Sequence, residues 1–364
     1  MQPTLDAKRA DPATHVLAIG VADYPLLAAD IAAGVSPPYG LRPVSSPIPS
    51  VRDFAAFFES GEYRNDSAPL GSVFRLESPD IDQIADGVAS WFARCDAHAD
   101  NVAVFYFCGH GFQRGGEIAG LANDFGRSQP PLSRLREALN LTELVDAMAR
   151  CRASRQWFVF DCCRDIPEDL AQTIGNFGAP ILDVLHAPPN PGRVSPVMYA
   201  TGATSAAFGV KERPTRFTAA LLRALRGPGA DEDAGAWRVD VFSLQKAVEG
   251  LMALDNARPG VPKQVPRLAG EADALVLHQL AGAPKVPVVI ACDPHSATPR
   301  AAFRVLADGG LVCARDVEPS AWQVDLEVRG YRVEAQLPEA PLPGTADVQV
   351  WPPLRRCPVK VGVP

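Results

Sequence analysis

The sequence lacks several features that would place it in a specialised class. Its longest apolar runs, Val102 to Cys108 and Val286 to Cys292, are far shorter than the ~20 residues of a membrane-spanning helix. Positive charge is not in excess, because 35 Lys and Arg oppose 42 Asp and Glu for a net charge of −7. We therefore expect binding neither to nucleic acid nor to a membrane surface. Residues 1–15 do not resemble a secretory signal, so we expect a cytoplasmic protein.

The chain also has few cysteines for its length. The eight cysteines include no Cys-x-x-Cys pair, and eight are too few for a disulfide scaffold in 364 residues. We therefore expect reduced thiols, most of them in the core. The histidines at positions 15, 98, 186, 278 and 295 show no metal-ligand spacing. The sequence accordingly predicts no metal and no other cofactor.

What the sequence does contain is an alternation of buried strands and amphipathic helices. Continuous apolar runs predict strands over residues 15–21, 102–107, 157–160 and 196–201. Apolar spacing of three and four residues predicts four helices, over residues 51–58, 81 to about 96, 142 to about 150, and 217–225. Thr142 is the predicted cap of the third helix. This order predicts an α/β fold, a mostly parallel sheet flanked by helices, whose ligands bind beyond the carboxyl ends of the strands.

The character of the sequence changes after Leu280, where Ala-Gly-Ala-Pro-Lys interrupts the chain. Beyond this point, four runs partly alternate apolar with polar residues: 286–292, 303–307, 322–328 and 348–351. Such runs are typical of a small antiparallel β-sandwich. We therefore expect a catalytic domain over residues 1–282 and an all-β sandwich accessory domain over residues 283–364.

Two predicted strands end in residues suited to nucleophilic catalysis. Cys108-Gly109-His110-Gly111 follows one strand, and Asp161-Cys162-Cys163-Arg164 follows the other. A cysteine nucleophile needs a base to remove its proton, and a histidine with a pKa near 6.5 is suited to that task. The glycines around His110 let the backbone approach a substrate and leave the Gly111 N–H to donate to an oxyanion.

Each of these residues has a structural alternative. A single His or Cys at a strand end is more often structural than catalytic, and the adjacent Cys162 and Cys163 also invite a redox or metal interpretation. Neighbouring cysteines rarely form a disulfide, however, and they point to opposite faces of a strand. The joint placement of His110 and Cys163, with the histidine about 50 residues earlier, matches the order of caspase-type sequences and favours catalysis.

The two motifs resemble those of the caspase and metacaspase group of cysteine endopeptidases, specifically bacterial caspase-like proteins. FYFCGHG at 105–111 is similar to the histidine motif, and VFDCCRD at 159–165 is similar to the nucleophile motif. Weaker similarity, over 15–25 and 217–225, extends the resemblance to roughly residues 13–280. Arg164 is a departure, because metacaspases usually carry a histidine there.

The resemblance implies a caspase-like fold and a role for each motif residue. Cys163 is the implied nucleophile and His110 the general base. The N–H groups of Gly111 and Cys163 form the implied oxyanion hole, and Cys162 points into the core. The implied substrate is a protein or peptide, and the resemblance implies regulation in bacterial stress, cell death or antiviral defence, by an activating protease or a regulatory protein. Calcium dependence stays an open alternative.

The resemblance also suggests specificity and processing. Asp161 and Asp53 match the positions of acidic residues that select Arg or Lys at P1, and a buried carboxylate pair would do so through charge-assisted hydrogen bonds. The alternatives are an N-cap for Asp161 and a surface helix residue for Asp53, with Arg52 in a caspase-like role. Arg193, in the proline-rich segment 186–195, is the predicted self-processing site, unless it is an ordinary surface arginine. The alternative to an enzyme is a pseudoprotease that binds partners, but such proteins usually lose the His or the Cys.

Overall fold

The computed structural model describes residues 11–32, 34, 41–128, 133, 135–165, 176–183, 192–202, 211–270 and 275–362. Its centre is a six-stranded sheet in the order β11-β8-β7-β3-β1-β2. The strands are β1 (Thr14–Gly20), β2 (Leu70–Glu77), β3 (Val102–Gly109), β7 (Arg155–Cys162), β8 (Val197–Tyr199) and β11 (Arg267–Ala269). Only β11 among them pairs antiparallel. The predicted α/β fold with a mostly parallel sheet is therefore confirmed.

The central strands were predictable because both of their faces are buried. Every residue of β1 is buried, as are all but the last of β3 and all but the first of β7. A strand that is covered on both faces has a continuous apolar run in its sequence. The edge strand β2 is half-exposed along its length and interrupts its apolar residues with polar ones, so no such run reveals it.

The described helices are α1 (Pro25–Ala32), α2 (Pro47–Glu59), α3 (Ile81–Cys95), α4 (Leu141–Ala147), α5 (Arg216–Leu225) and α6 (Val241–Asn256). Helix α3 has the predicted limits, and Asp80 and Gln83 form a capping box at its start. Helix α2 begins at Pro47, before the predicted Val51, because proline is tolerated in a first turn.

The prediction for α4 was wrong in its cap and its length. Asn140, not Thr142, caps the helix by accepting a hydrogen bond from the Glu143 N–H. The Thr142 hydroxyl instead accepts from the Ile118 N–H and donates to the Gly116 carbonyl. The α-helix ends at Ala147, and a 3₁₀ turn continues from Met148 to Arg150.

A small antiparallel sheet follows β3 directly. It contains β4 (Gly111–Arg114), β5 (Glu117–Leu121) and β6 (Ala138–Asn140) in that order. His110 is the single residue between β3 and β4, so both sheets fix its main chain. The sequence pattern does not predict this sheet.

The chain divides into two compact units. One comprises Met1–Leu222 and Met252–Leu277, and the other comprises Arg223–Leu251 and His278–Pro364. This division groups residues 223–251 with the C-terminal strands, and the boundary between residues 282 and 283 stays a prediction. That segment contains β9 (Asp231–Asp233) and β10 (Ala236–Asp240), in a sheet with β12 (Val276–Gln279).

The C-terminal strands form two sheets around one core. The first has the order β16-β13-β19 and the second the order β15-β14-β17-β18. Their ranges are β13 (Lys285–Asp293), β14 (Ala302–Ala307), β15 (Gly310–Arg315), β16 (Trp322–Glu327), β17 (Gly330–Gln336), β18 (Gly344–Gln349) and β19 (Arg355–Lys360). Buried residues of both sheets, such as Ile290 and Val333, share one cluster. The expected additional all-β region is present, but the pairing is not wholly antiparallel, because β13 and β19 run parallel.

No helix within the described residues has the length and hydropathy to cross a membrane.

Candidate active site

The two candidate catalytic residues follow paired positions of neighbouring strands. Strands β3 and β7 are parallel, and their register places Gly109 opposite Cys162. The next residue on each chain is His110 and Cys163. Because neighbouring strands lie ~4.8 Å apart, this register brings the two motifs to one place at the carboxyl edge of the sheet.

His110 has a defined orientation. Its Nε2 lies 2.6 Å from the Arg42 carbonyl oxygen. A carbonyl oxygen can only accept, so Nε2 carries the hydrogen and Nδ1 is the unprotonated nitrogen available as a base. Burial lowers the pKa of His110 below its usual value, although the bond to Arg42 partly opposes that effect. The direction of this shift favours the neutral imidazole, whose Nδ1 can accept a proton.

The glycines around His110 are required by close packing. A Cβ on Gly111 would lie 2.8 Å from the Cys162 Sγ, and one on Gly109 would lie 3.1 Å from the Val21 carbonyl oxygen. The Leu121 N–H donates to the His110 carbonyl. Hydrogen-bonded and non-hydrogen-bonded pairs alternate along an antiparallel ladder, so the next pair, Gly111 and Gly120, exchanges no main-chain hydrogen bonds. The Gly111 N–H consequently points away from β5, as an oxyanion donor needs.

Cys162 and Cys163 have different environments. Cys162 is 1% exposed and belongs to the apolar core cluster. Burial raises the pKa of its thiol well above the usual value, which keeps it protonated. Cys163 is half-buried, and none of the eight cysteines forms a disulfide. Of the two thiols, Cys163 is thus the one that a substrate can approach.

Arg164 holds the chain immediately after Cys163. Its Nε donates to Gln113 Oε1 at 2.7 Å, and its Nη1 donates to the Thr201 carbonyl at 3.1 Å. Its guanidinium also lies 4.2 Å from the centre of the Tyr199 ring, within the range of a cation–π interaction. These contacts tie the nucleophile segment to β4 and to the end of β8.

Asp161 lies on the opposite face of β7 from Cys162 and is 2% exposed. Its Oδ2 accepts hydrogen bonds from Thr215, from Thr218 at 2.6 Å and from Tyr106 at 3.5 Å. Its Oδ1 has no hydrogen-bond partner among the described residues. Burial raises the pKa of this carboxyl, and the hydroxyl donors partly oppose the rise. Among the described residues, Asp161 accepts hydrogen bonds from side chains and caps no helix.

The structure does not place Asp53 with Asp161. Asp53 is exposed on α2, whose buried face carries Phe54, Phe57 and Phe58. The predicted buried carboxylate pair is therefore not present, because the helical period directs Asp53 to solvent. Its neighbour Arg52 pairs with Glu77 at 2.6 Å.

The predicted processing site is only partly described. Residues 186–191 of the proline-rich segment lie outside the described residues, whereas Arg193 lies within them. The Arg193 guanidinium donates to the Ala149 carbonyl, and Val194 forms a parallel bridge with Arg155 at the start of β7.

Sequence reasoning missed two contributors to the site, Arg42 and Tyr24. Arg42 acts through its main-chain carbonyl, which any residue type supplies, so its identity gives no signal. Tyr24 accepts a hydrogen bond from the His110 N–H at 3.0 Å. Its apolar ring and its position after β1 are consistent with an ordinary core residue. Among the described residues, no group of three or more His, Cys, Asp or Glu is arranged to hold a metal ion.

Comparisons with known proteins show the family to which this chain belongs. The Caspase domain family matches residues 14–277. Uncharacterized protein y4kE of Sinorhizobium fredii (strain NBRC 101917 / NGR234) is 27% identical over 288 residues, 72% of this chain and 80% of that protein. Caspase-1 from Spodoptera frugiperda is 14% identical, with a TM-score of 0.48 over 76% of this chain and 98% of its own. Because the family match covers most of the chain and both motifs, this protein belongs to the caspase-domain family of cysteine peptidases.

Proposed function

We propose that this protein is a cysteine endopeptidase that uses His110 and Cys163 as its catalytic dyad. The observation that carries the proposal is the β3–β7 register, which pairs Gly109 with Cys162 and makes His110 and Cys163 the next residues. The Arg42 carbonyl supports the role of His110, because it fixes the tautomer in which Nδ1 is a base.

In the proposed reaction, the His110 Nδ1 accepts the proton of the Cys163 thiol as the sulfur attacks the scissile carbonyl. The N–H groups of Gly111 and Cys163 then stabilise the oxyanion. His110 returns the proton to the leaving amine, and a thioester remains on Cys163. His110 then deprotonates a water molecule that attacks the thioester, the carbon–sulfur bond breaks, and the proton returns from His110 to the Cys163 sulfur as the second product leaves.

We also propose that the enzyme prefers Arg or Lys at P1. The preference rests on Asp161, whose Oδ1 lacks a hydrogen-bond partner among the described residues. A guanidinium or ammonium group that reaches this oxygen would form a charge-assisted hydrogen bond in a low-dielectric surrounding. Asp53 takes no part, because it is exposed on α2.

The test is a panel of reporter peptides with Arg, Lys, Asp or Leu at P1, incubated with the purified full chain. We expect cleavage after Arg and Lys. Cys163→Ala should abolish cleavage, whereas Cys162→Ala should retain most of it, because the Cys162 thiol is buried in the apolar core. Loss of cleavage in Cys162→Ala alone would contradict the assignment of the nucleophile, and a preference for Asp would contradict the proposed specificity.

The resemblance of the motifs supports a regulated role for this activity. We propose protein substrates in a bacterial stress, cell-death or defence response, with an activating protease or a regulatory protein as the partner. Measuring cleavage before and after limited proteolysis of the full chain tests this proposal, and unchanged activity would contradict activation by proteolysis.

A further inference from the structure

Tyr24 joins the end of β1 to the histidine motif. Its side chain is 1% exposed. Its hydroxyl accepts a hydrogen bond from the His110 N–H at 3.0 Å and donates one to the Val21 carbonyl at 3.3 Å. Its ring centre lies 5.1 Å from that of the His110 imidazole, with an interplanar angle of 44°. One side chain therefore contacts both the main chain and the ring of His110.

Gly109 and Tyr24 fit each other. A Cβ on Gly109 would lie 3.2 Å from the Tyr24 hydroxyl oxygen, which is tighter than ordinary van der Waals contact. The absence of a side chain at residue 109 lets the hydroxyl reach the N–H of the next residue. The Val21 N–H in turn donates to the Cys108 carbonyl at 2.8 Å, so this contact closes a link between β1 and β3.

Tyr24 also lies near the nucleophile segment. Burial is the main reason that the pKa of Tyr24 is raised far above its usual value, and negative charge on Cys108, Cys162 or Cys163 would raise it further. The hydroxyl therefore stays protonated at any pH at which an enzyme is assayed. Its hydrogen bond to the Val21 carbonyl does not depend on pH in that range.

We propose that Tyr24 is a positioning residue for His110, whose hydroxyl fixes the main chain of His110 and whose ring restricts rotation of the imidazole. The proposal rests on the proposed function of His110 as the base. The Arg42 carbonyl anchors Nε2 at one end of the imidazole, and Tyr24 anchors the main chain at the other. With both anchors in place, Nδ1 has one direction, and a fixed direction is what proton transfer from a neighbouring thiol requires.

Tyr63 provides a matched control at the other end of the same sheet. It is 8% exposed, and its hydroxyl lies 2.7 Å from Thr14 Oγ1 at the start of β1. Tyr24→Phe and Tyr63→Phe each remove one buried hydroxyl and keep the ring. The two variants should lose similar stability, whereas only the first changes a contact of His110.

The first measurement separates kcat from KM for an Arg-P1 reporter peptide. We expect Tyr24→Phe to lower kcat about tenfold with KM within twofold of the original value, because the hydroxyl orients a reacting group and binds no substrate. Tyr63→Phe should leave both constants within twofold. A kcat for Tyr24→Phe equal to that of Tyr63→Phe, or a loss confined to KM, would overturn the proposal.

The second measurement does not require cleavage. In protein labelled with ¹⁵N-histidine, with His110 assigned from His110→Ala, the imidazole should show the Nε2–H tautomer in the original chain and in Tyr63→Phe. In Tyr24→Phe we expect a mixture of tautomers. Identical His110 signals in all three proteins would overturn the proposal. Failure of the original chain to cleave any peptide would count against the proposed function alone, and the NMR result would still decide the role of Tyr24.

Discussion

The two ends of the central sheet both bury polar side chains, but Asn101 at the amino end and Asp161 at the carboxyl end differ in what they bind. At the amino end, Asn101 accepts from the Ala13 N–H at 2.8 Å and donates to the carbonyls of Arg94 and Cys95 at 3.0 and 3.1 Å. At the carboxyl end, Asp161 accepts from the hydroxyls of threonine and tyrosine side chains.

This difference separates stability from chemistry within one sheet. The hydrogen bonds of Asn101 satisfy main-chain groups that do not titrate, so they contribute to folding at any pH. The hydrogen bonds at the carboxyl end hold His110 and Asp161, two titratable groups whose protonation states affect the proposed cleavage. Variants at the carboxyl end should therefore lose activity more than stability, and variants at the amino end should lose stability more than activity.

The largest effect is expected at the carboxyl end, from His110→Ala. Loss of the base should lower kcat/KM about a thousandfold, since general-base catalysis contributes 10²–10⁴-fold. The double variant His110→Ala/Cys163→Ala should be no worse than Cys163→Ala alone, because the two residues act as a unit. Steady-state kinetics on an Arg-P1 peptide check this prediction. Additive losses in the double variant would mean that the residues act separately.

Asp161→Asn should have the next largest effect. It keeps the shape of the side chain but removes the charge proposed to bind a basic P1 group, so kcat/KM for an Arg peptide should fall at least tenfold, on the order of 1.4 kcal/mol. A peptide with Leu at P1 serves as the control, because its cleavage does not use the carboxylate. Equal losses for the Arg and Leu peptides would indicate a structural role for Asp161.

A smaller effect is expected from His110 in the pH dependence of kcat/KM. Because burial lowers the pKa of His110, the neutral base persists to a lower pH than an exposed histidine allows. The acid limb of kcat/KM should therefore have its midpoint below pH 6.5. Initial rates from pH 4.5 to 8 on the Arg peptide measure this midpoint, and a value above 6.5 would contradict the buried, neutral His110.

The smallest effect on activity is expected from Asn101→Ala at the amino end. Asn101 is 2% exposed, and its removal takes a hydrogen-bond partner from the Ala13 N–H and the Cys95 carbonyl, whereas the Arg94 carbonyl still accepts from the Ala97 N–H. The free energy of unfolding should fall by about 2–3 kcal/mol, whereas kcat/KM at 20 °C should change less than twofold. Urea unfolding followed by fluorescence, alongside the peptide assay, checks both parts. A large loss of kcat/KM in folded protein would show that the two ends are coupled.

The parts of this fold that could be predicted from the sequence are those with continuous burial. Strands β1, β3 and β7 appear as apolar runs, and their order with the helices gives the sheet and its carboxyl edge. The sequence predicted that the motifs of His110 and Cys163 both lie at this edge, whereas the register that pairs Gly109 with Cys162 is seen only in the structure. The small β4–β6 sheet was not predictable, because strands of three to five residues carry little periodicity.

Site residues that act through the main chain or through a helical face were harder to predict. The Arg42 carbonyl has no side-chain signature, since every residue carries the same acceptor. Asp53 was misplaced because a match by sequence position ignored the phase of α2, which directs Phe54 inward and Asp53 outward. Asp161 was predicted to follow the strand that ends at residue 160, whereas β7 includes it, because Asp161 and Cys162 continue the buried run.

The pairing of Val194 with β7 has a consequence for the timing of self-processing. A protease binds its substrate in an extended form that is free of other pairing, so cleavage after Arg193 first requires the Val194–Arg155 bridge and the Arg193–Ala149 contact to open. The rate of such a cut is then set by how often this short segment detaches, which is a property of local stability. If the predicted cut after Arg193 occurs, a freshly folded chain would stay intact for an interval that temperature shortens.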